Sequence, residues 1–492
     1  MNKYIGITIG AIIKTLSMAR KPRELWSSSY LFSYLMETLR AGLPKEIEIF
    51  SPAENKSGKN GVGLYPDRMF CKYPDDKELE LGKTISDIKA AYAKDLGIDA
   101  DYFNVYAVVL NAESDSLAIK KLNEKLDFLE LYNTAVSEDA EKTIRELIFN
   151  KESFRLFKID SDKTKFLKST LAQISSAQLA DKDGFKYDLS KWEDDFKKED
   201  ALIKILKDRF CDEFITPHKY ICVVHADGDN MGNIVTHPLN NIAELSGKLI
   251  EFASEACEII KVHKGMPIYA GGDDLLFISP VITGENTTIF DLIKDIDKLY
   301  DEKGLTKYKG KKNGKETTTS MSYGISITYY KYPLYEALNM SRSLLFDVAK
   351  NVENKDAIAW SLQKNSGSAI SGKLSKSNKK LYEAFEGLII SINDKIDNNL
   401  VTAVAHKIKA SEVLLELFME KSVDEVRLDA FFEKTLEYES KNDDEKKYLK
   451  AVRELFIEVC KSVKSVKSAV EIMYGMLRTA KFVKGLEEDK DE

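Results

Sequence analysis

Cysteine is scarce and unpatterned. Five occur in 492 residues (Cys71, Cys211, Cys222, Cys257 and Cys460), none in Cys-x-x-Cys spacing, so no zinc ribbon can be built. They read as reduced, mostly buried thiols of a cytosolic protein, and the expected compartment is the cytoplasm. No apolar run approaches about 20 residues, so no membrane span is expected. The first ten residues are too short and too lightly charged for a secretory signal. Nor is there a basic excess: 73 Lys and Arg face 80 Asp and Glu, a net charge of −7. Any grip on nucleic acid must therefore be local. What is present is a globular composition, 43% hydrophobic and 31% charged, with length for roughly three domains.

The most informative stretch is Ile268-Tyr269-Ala270-Gly271-Gly272-Asp273-Asp274-Leu275-Leu276-Phe277. Two apolar runs flank Gly-Gly-Asp-Asp, which predicts two buried strands joined by a tight hairpin with carboxylates at its tip. Some fifty residues earlier, Val223-Val224-His225-Ala226-Asp227-Gly228-Asp229 is another apolar strand ending in acid. Two such strand ends suit Mg²⁺, or Mn²⁺, which takes hard oxygen ligands and leaves room for phosphates. The alternative is a pair of ordinary turns with solvated acids.

Around these motifs the patterns alternate between strand and helix. Strands are expected at 4–9, 46–50, 64–72 and 103–110, with helices at 24–43 and 78–96. That is a βαββαβ unit, the ferredoxin-like split motif, over 1–112. Residues 113–215 read as a helical linking domain. Strand 220–227, the hairpin 268–279 and strands 321–330 and 357–362, with helices at 242–262, 289–300 and 334–350, repeat the unit over 216–366. Residues 365–379 read as a Ser/Gly/Lys/Asn linker, and 380–492 as a helical bundle with a frayed acidic tail at 487–492. The fold class is α+β: two ferredoxin-like domains plus a linking and a C-terminal helical domain.

Asp227, Asp273 and Asp274 together suggest a two-metal centre for phosphoryl transfer, as catalytic and metal-holding groups. Gly228, Gly232, Gly271 and Gly272 would let backbone approach a triphosphate. Lys350 closes a helix; its ammonium either reaches the same phosphates or complements the helix C-terminus. Asp229 reads as a surface acid and His225 as a core histidine. The lysine-rich loop 303–315 is either solvated or a contact for RNA phosphates. In the first unit, Ser27, Ser28 and Ser29 open a helix, where hydroxyls and free N–H groups suit an anion or serve as caps.

Taken together, Arg20-Lys21…Glu24-Leu25-Trp26-Ser27-Ser28-Ser29-Tyr30, Asp227-Gly228-Asp229-Asn230-Met231-Gly232, Gly271-Gly272-Asp273-Asp274, Ser322-Tyr323-Gly324-Ile325 and Lys331-Tyr332-Pro333-Leu334 leading to Ala349-Lys350-Asn351 resemble a known family. It is the large palm-domain, polymerase/cyclase-like subunit of type III (Cmr-type, III-B) CRISPR effector complexes. The resemblance runs from the first residues to about Gly367. It implies two palm domains facing each other across an ATP site. It also implies partners: guide RNA, target RNA whose binding switches on synthesis of a signal nucleotide, and the other effector subunits.

Three departures matter. Many members begin with an HD nuclease domain; here the first palm starts at Met1 and no His-Asp pair occurs among the five histidines, so DNA cutting is not expected of this chain. Many carry a four-cysteine zinc site, which this spacing cannot build. Where Pro-Asn-Arg is expected, this chain reads Pro66-Asp67-Arg68. An anionic Asp67 would repel an acceptor triphosphate and welcome a cationic acceptor. A branch of the family lacking the nuclease adenylates S-adenosylmethionine, and that product, SAM-AMP, is narrowly favoured. The acceptor is expected against Ser27, Ser28, Ser29, Asp67 and Arg20, with Lys350 and the glycines on ATP. The alternatives are a cyclic oligoadenylate synthase with ATP as donor and acceptor, a catalytically silent scaffold, and an RNA-independent diguanylate-cyclase-like enzyme.

Overall fold

The computed structural model describes residues 2–56, 61–73, 80–131, 136–180, 196–211, 213–352, 355–364, 369–393, 395–418, 424–463 and 465–486. The start of the expected linker, 365–368, and the acidic tail, 487–492, lie outside the described residues.

Strands β1 (Asn2–Gly10), β2 (Glu48–Ser51), β3 (Arg68–Tyr73) and β4 (Asn104–Ala112) form an antiparallel sheet in the order β2-β3-β1-β4. Helix Pro22–Gly42 joins β1 to β2, and helix Leu81–Leu96 leads from β3 towards β4, so the unit is βαββαβ. Pro22 opens the first helix, where a missing N–H costs nothing. Glu24 caps it by accepting from the backbone N–H groups of Arg20 and Lys21. Strand alternation sorts β1 cleanly. Ile5, Ile7 and Ile9 join the core with Trp26, Leu35 and Leu39 of that helix. Tyr4 turns to the other face, which helix Asp115–Glu130 covers with Ile119, Leu122 and Leu126. That helix falls within the expected linking region but packs on the first sheet, tied there by Tyr4 OH to Asp115 at 2.6 Å.

The second sheet has the order β12-β11-β10-β5-β7-β6: β5 (Tyr220–Gly228), β6 (Met266–Gly271), β7 (Asp274–Pro280), β10 (Met321–Tyr329), β11 (Ala357–Gln363) and β12 (Ala369–Ser375). Its four strands from β10 to the β6 edge, β10-β5-β7-β6, repeat the topology of the first sheet, all antiparallel. β11 adds in parallel and β12 antiparallel.

Two polar stretches are more ordered than expected. Residues 369–375, expected as linker, are a strand: Ile370 and Leu374 point inward, and bare Gly372 accepts the Trp360 ring. Polar residues cover its other face, which hides the strand in composition. The basic loop holds a hairpin, β8 (Lys309–Lys312) with β9 (Lys315–Thr318), docked where Gly310 meets Asn233. The C-terminal helices, including Lys379–Ser391, Asp443–Ser462 and Val466–Val483, share one core with the second sheet. Phe385 stacks on Trp360 at 5.5 Å, and Trp360 Nε1 donates to Thr479 at 2.8 Å. Among the described residues no helix is long and apolar enough to cross a membrane.

The two sheets meet directly. Ala270 N donates to Gly63 O at 2.9 Å, so the loop before β3 adds to the β6 edge, and Ala53 N donates to Ser246 at 2.8 Å. Ile221 and Val223 of β5 face the core shared with the first unit; Cys222, Val224 and Ala226 face helices Ile242–Val262 and Ile289–Glu302. Asp227 continues the odd-numbered face, towards the first unit.

The expected helix 334–350 is three pieces: an α-helix Leu334–Ser343, a π-turn Leu344–Val348 and a 3₁₀ turn Ala349–Asn351. It lies so close to β10 that a Cβ on Gly324 would stand 2.9 Å from the Leu345 Cβ and closer still to backbone. Gly324→Ala is expected to lower unfolding stability by about 1–3 kcal/mol in a denaturant titration, because the overpacking falls on backbone that cannot yield.

Candidate active site between the two sheets

The β5–β7 ladder pairs Val224 with Phe277, His225 with Leu276 and Ala226 with Leu275. One step further along sets Asp227 opposite Asp274, side chains on one face. The hairpin turn is made by Gly271 paired with Asp274 and by Gly272 at φ 72°, a left-handed conformation that suits glycine. Gly228 lets Asp273 fold against the end of β5: a Cβ there would stand 2.7 Å from the Asp273 Cβ. Sequence-distant Asp227, Asp273 and Asp274 therefore gather at one edge. Gly232 opens onto free space beside them, behind Asn230 in a left-handed turn.

Their electrostatics are unbalanced. Burial pushes Asp273 up to about 7, helped by the Asp274 charge; burial likewise pushes Asp274 up to about 7, helped by Asp67. Asp227 instead holds Lys350 in a close ion pair, and Lys350 Nζ also donates to Gly228 O at 3.0 Å. Burial pulls the Lys350 ammonium down to about 7, helped by the neighbouring Lys355 charge. Lys350 thus lies against Asp227 and Gly228 at the end of β5. Asp229, expected at the surface, is fully buried. Its Oδ2 accepts from Ser320 and Ser322 hydroxyls at 2.8 Å each and from Asp356 N at 2.9 Å. His225 is a structural histidine as expected: it bonds Ser341 at 2.8 Å, and burial pushes its pKa down to about 3.

Among the described residues no three His, Cys, Asp or Glu side chains converge tightly enough to hold a metal unaided. The expected triple convergence is altered by Lys350, which takes up Asp227. The residues nonetheless fit a divalent cation. Asp273 and Asp274 make no ion pair among the described residues, both are driven towards the protonated form, and only oxygen donors are on offer.

A cavity of about 250 Å³ opens in front of this edge, walled by both units. Asp274, His225, Tyr269 and Arg342 come from the second; Ser29, Ser33, Tyr65 and Asp67 come from the first, with Ile9, Ile12 and Phe32 as apolar wall. Ser29 and Asp67 thus share a chamber with Asp274. The other expected acceptor residues do not line it. Ser27 Oγ donates to Ser153, Ser28 Oγ bonds back to Glu24 O, and the Arg20 side chain is exposed elsewhere. A helix can turn only one of three consecutive serines towards a given wall. Arg68 makes no hydrogen bond to Asp67, since its guanidinium is held by Asp127 at 2.6 Å, Glu130 at 2.8 Å and Asn123 at 2.8 Å, but its charge partly offsets the effect of burial on Asp67. Asp67 makes no ion pair among the described residues, and burial pushes its pKa up.

Arg342, Tyr269 and the Ser320–Ser322–Asp356 cradle were not singled out from sequence. Arg342 had a usable signal, since Leu338, Arg342, Leu345 and Phe346 fall on one helical face and line the cavity together.

Residues 220–359 match the family model described as Cas10/Cmr2, second palm domain, and residues 4–96 that described as CRISPR-associated protein Cmr2, N-terminal. The CRISPR system Cmr subunit Cmr2 of Pyrococcus furiosus is 31% identical over 183 residues, 32% of this chain and 20% of the relative, so the match spans about a fifth of that relative's length. A type III-B Cmr-beta structure in the apo state superposes with a TM-score of 0.59 at 12% identity over 99% of this chain and 82% of the other. A Cmr-beta complex bound to cognate target RNA gives 0.55 at 13% identity over 84% and 76%. A Csm1–Csm4 cassette in complex with cA4 gives 0.53 at 13% identity over 98% and 70%.

The raised carboxyls give a signed pH prediction. An aspartate ionises near 4 in the unfolded chain and near 7 here, so its penalty is absent below about pH 4 and grows as pH rises to about 7. In chelator, an Asp273→Asn/Asp274→Asn protein is expected to unfold at higher denaturant than the parent at pH 8. The advantage should vanish towards pH 4.5. Exposure of Asp274 reduces its share.

Proposed function

We infer that this chain, which belongs to the Cmr2/Cas10 family of type III CRISPR effector subunits, transfers an adenylyl group from ATP to an acceptor held in the cavity between its two palms. One observation carries the reading: Asp274 of the glycine hairpin and Asp67 of the other palm line a single chamber. The acceptor's ribose 3′-oxygen bonds to the α-phosphorus of ATP, the bond to the β-phosphate breaks, and pyrophosphate leaves. A Mg²⁺ or Mn²⁺ ion on Asp227, Asp273 and Asp274 would make the attacking hydroxyl more acidic and neutralise the departing charge. The protein's own part is placement. Gly228 makes room for Asp273, Gly232 leaves open space for a triphosphate, Lys350 stands beside Asp227 as a cation, and the apolar wall excludes water.

The acceptor reading that the chamber supports best is S-adenosylmethionine. Asp67 makes no ion pair among the described residues, only the Arg68 charge partly offsets it, and it borders apolar surface, which favours a sulfonium and disfavours a second triphosphate. Cyclic oligoadenylate synthesis, with ATP on both sides, is the second reading; a solved relative in complex with cA4 favours it. In either case the chain works inside a complex with other effector subunits and guide RNA, and target RNA switches the reaction on.

The test is product analysis of the assembled complex with target RNA, labelled ATP and S-adenosylmethionine. The expected product requires both small molecules. Asp67→Asn should raise KM for S-adenosylmethionine about tenfold and leave that for ATP unchanged. Asp274→Asn should reduce turnover at least about a hundredfold. A product formed from ATP alone selects the second reading. No turnover with either would leave a scaffold.

A further inference from the structure

One buried atom next to the site has no hydrogen-bond partner among the described residues. Asp229 is fully buried, and its Oδ2 accepts three hydrogen bonds, yet Oδ1 accepts none. An unsatisfied buried carboxylate oxygen is destabilising, and native structures rarely keep one without a reason. The nearest cation is Lys350 Nζ, 4.0 Å away, too far for a hydrogen bond. That ammonium is held instead by Asp227 Oδ2 and Gly228 O. A carboxylate oxygen and a backbone carbonyl at a strand end are the hard donors a divalent cation takes.

We propose that Lys350 occupies a divalent-cation seat in the metal-free protein, and that Asp229 Oδ1 receives its ammonium when the cation binds. The inference rests on the metal-dependent reading above. It assigns Asp229 as a positioning residue.

The geometry makes the transfer short. A shift of about 1 Å brings Nζ within hydrogen-bond distance of Oδ1. Asp229 cannot move to meet it, because two serine hydroxyls and the Asp356 N–H fix its other oxygen. The lysine can move: its long flexible stem rises from the 3₁₀ turn that ends a π-turn. The arrangement compensates both buried acids only once the cation is bound; until then Asp229 Oδ1 has no partner among the described residues. Before loading, Lys350 covers Asp227. After loading, the divalent ion covers Asp227 and Lys350 covers Asp229. The ammonium stays beside the site throughout, available to a phosphate.

The test is Mn²⁺ binding to the full-length chain without nucleotide, read by electron paramagnetic resonance of free Mn²⁺, across a double-mutant cycle. Lys350→Met removes the occupant, so affinity should rise about tenfold. Asp229→Asn keeps an oxygen for the three donors but removes the charged receiving position, so affinity should fall about tenfold. In the Lys350→Met background, Asp229→Asn should change nothing, because there is no ammonium to receive. Equal weakening by Asp229→Asn in both backgrounds overturns the proposal, since it marks Asp229 as a direct ligand or a purely structural group. Unchanged affinity in Lys350→Met also overturns it, and Lys350→Gln repeats that arm if Asp229→Asn does not fold. Binding with additive effects refutes this inference alone; no Mn²⁺ binding in any of the four proteins refutes it together with the metal-dependent reading.

Discussion

Everything at this site follows from carboxylates brought close together, Asp227 and Asp273 half-buried, Asp274 and Asp67 exposed at the cavity. Asp273 and Asp274 close a hairpin, Asp227 ends the neighbouring strand, and Asp67 reaches in from the opposite palm. Like charges this close raise one another's pKa, and burial adds to the effect. Among the described residues, Lys350 pairs with Asp227, and Arg342 stands at the cavity wall. The remaining negative charge is the basis of the proposed cation binding.

The rest of the architecture keeps those acids in place. The second sheet shares one core with the C-terminal helices, so β5 and β7 are backed by a large rigid body. The first palm is clamped to it by the Gly63–Ala270 backbone bond and by the shared apolar core around Ile268 and Leu276. Gly324 draws the helix Leu334–Ser343 onto β10, and the π-turn beyond it delivers Lys350 to Asp227. The proposed adenylyl transfer at an edge made from separate strands would depend on such support, since misplacement by an ångström is enough to disable positioning.

Much of this was legible in the sequence, for stated physical reasons. Strand and helix periods located both βαββαβ units, because buried faces repeat every 2 or 3.6 residues. The glycine hairpin was legible because its turn needs a left-handed residue, met by Gly272. What periodicity could not carry was side-chain direction at polar positions. Ser27, Ser28 and Ser29 are equivalent in sequence, yet only Ser29 reaches the cavity. Asp229 looked like a solvated acid because its partners, Ser320, Ser322 and Asp356, lie about 90 to 130 residues away. Strand β12 was missed because its exposed face is Ser, Lys and Ala, the composition of a linker.

The central claim is that one chamber holds donor and acceptor together, with a cation-seeking acid on the acceptor side. It is tested most directly by a structure of the full chain with a non-hydrolysable ATP analogue, Mn²⁺ and S-adenosylmethionine. The account predicts a triphosphate against the Asp227–Asp274 edge and a sulfonium beside Asp67. A second triphosphate beside Asp67, or both ligands outside the chamber, would contradict it.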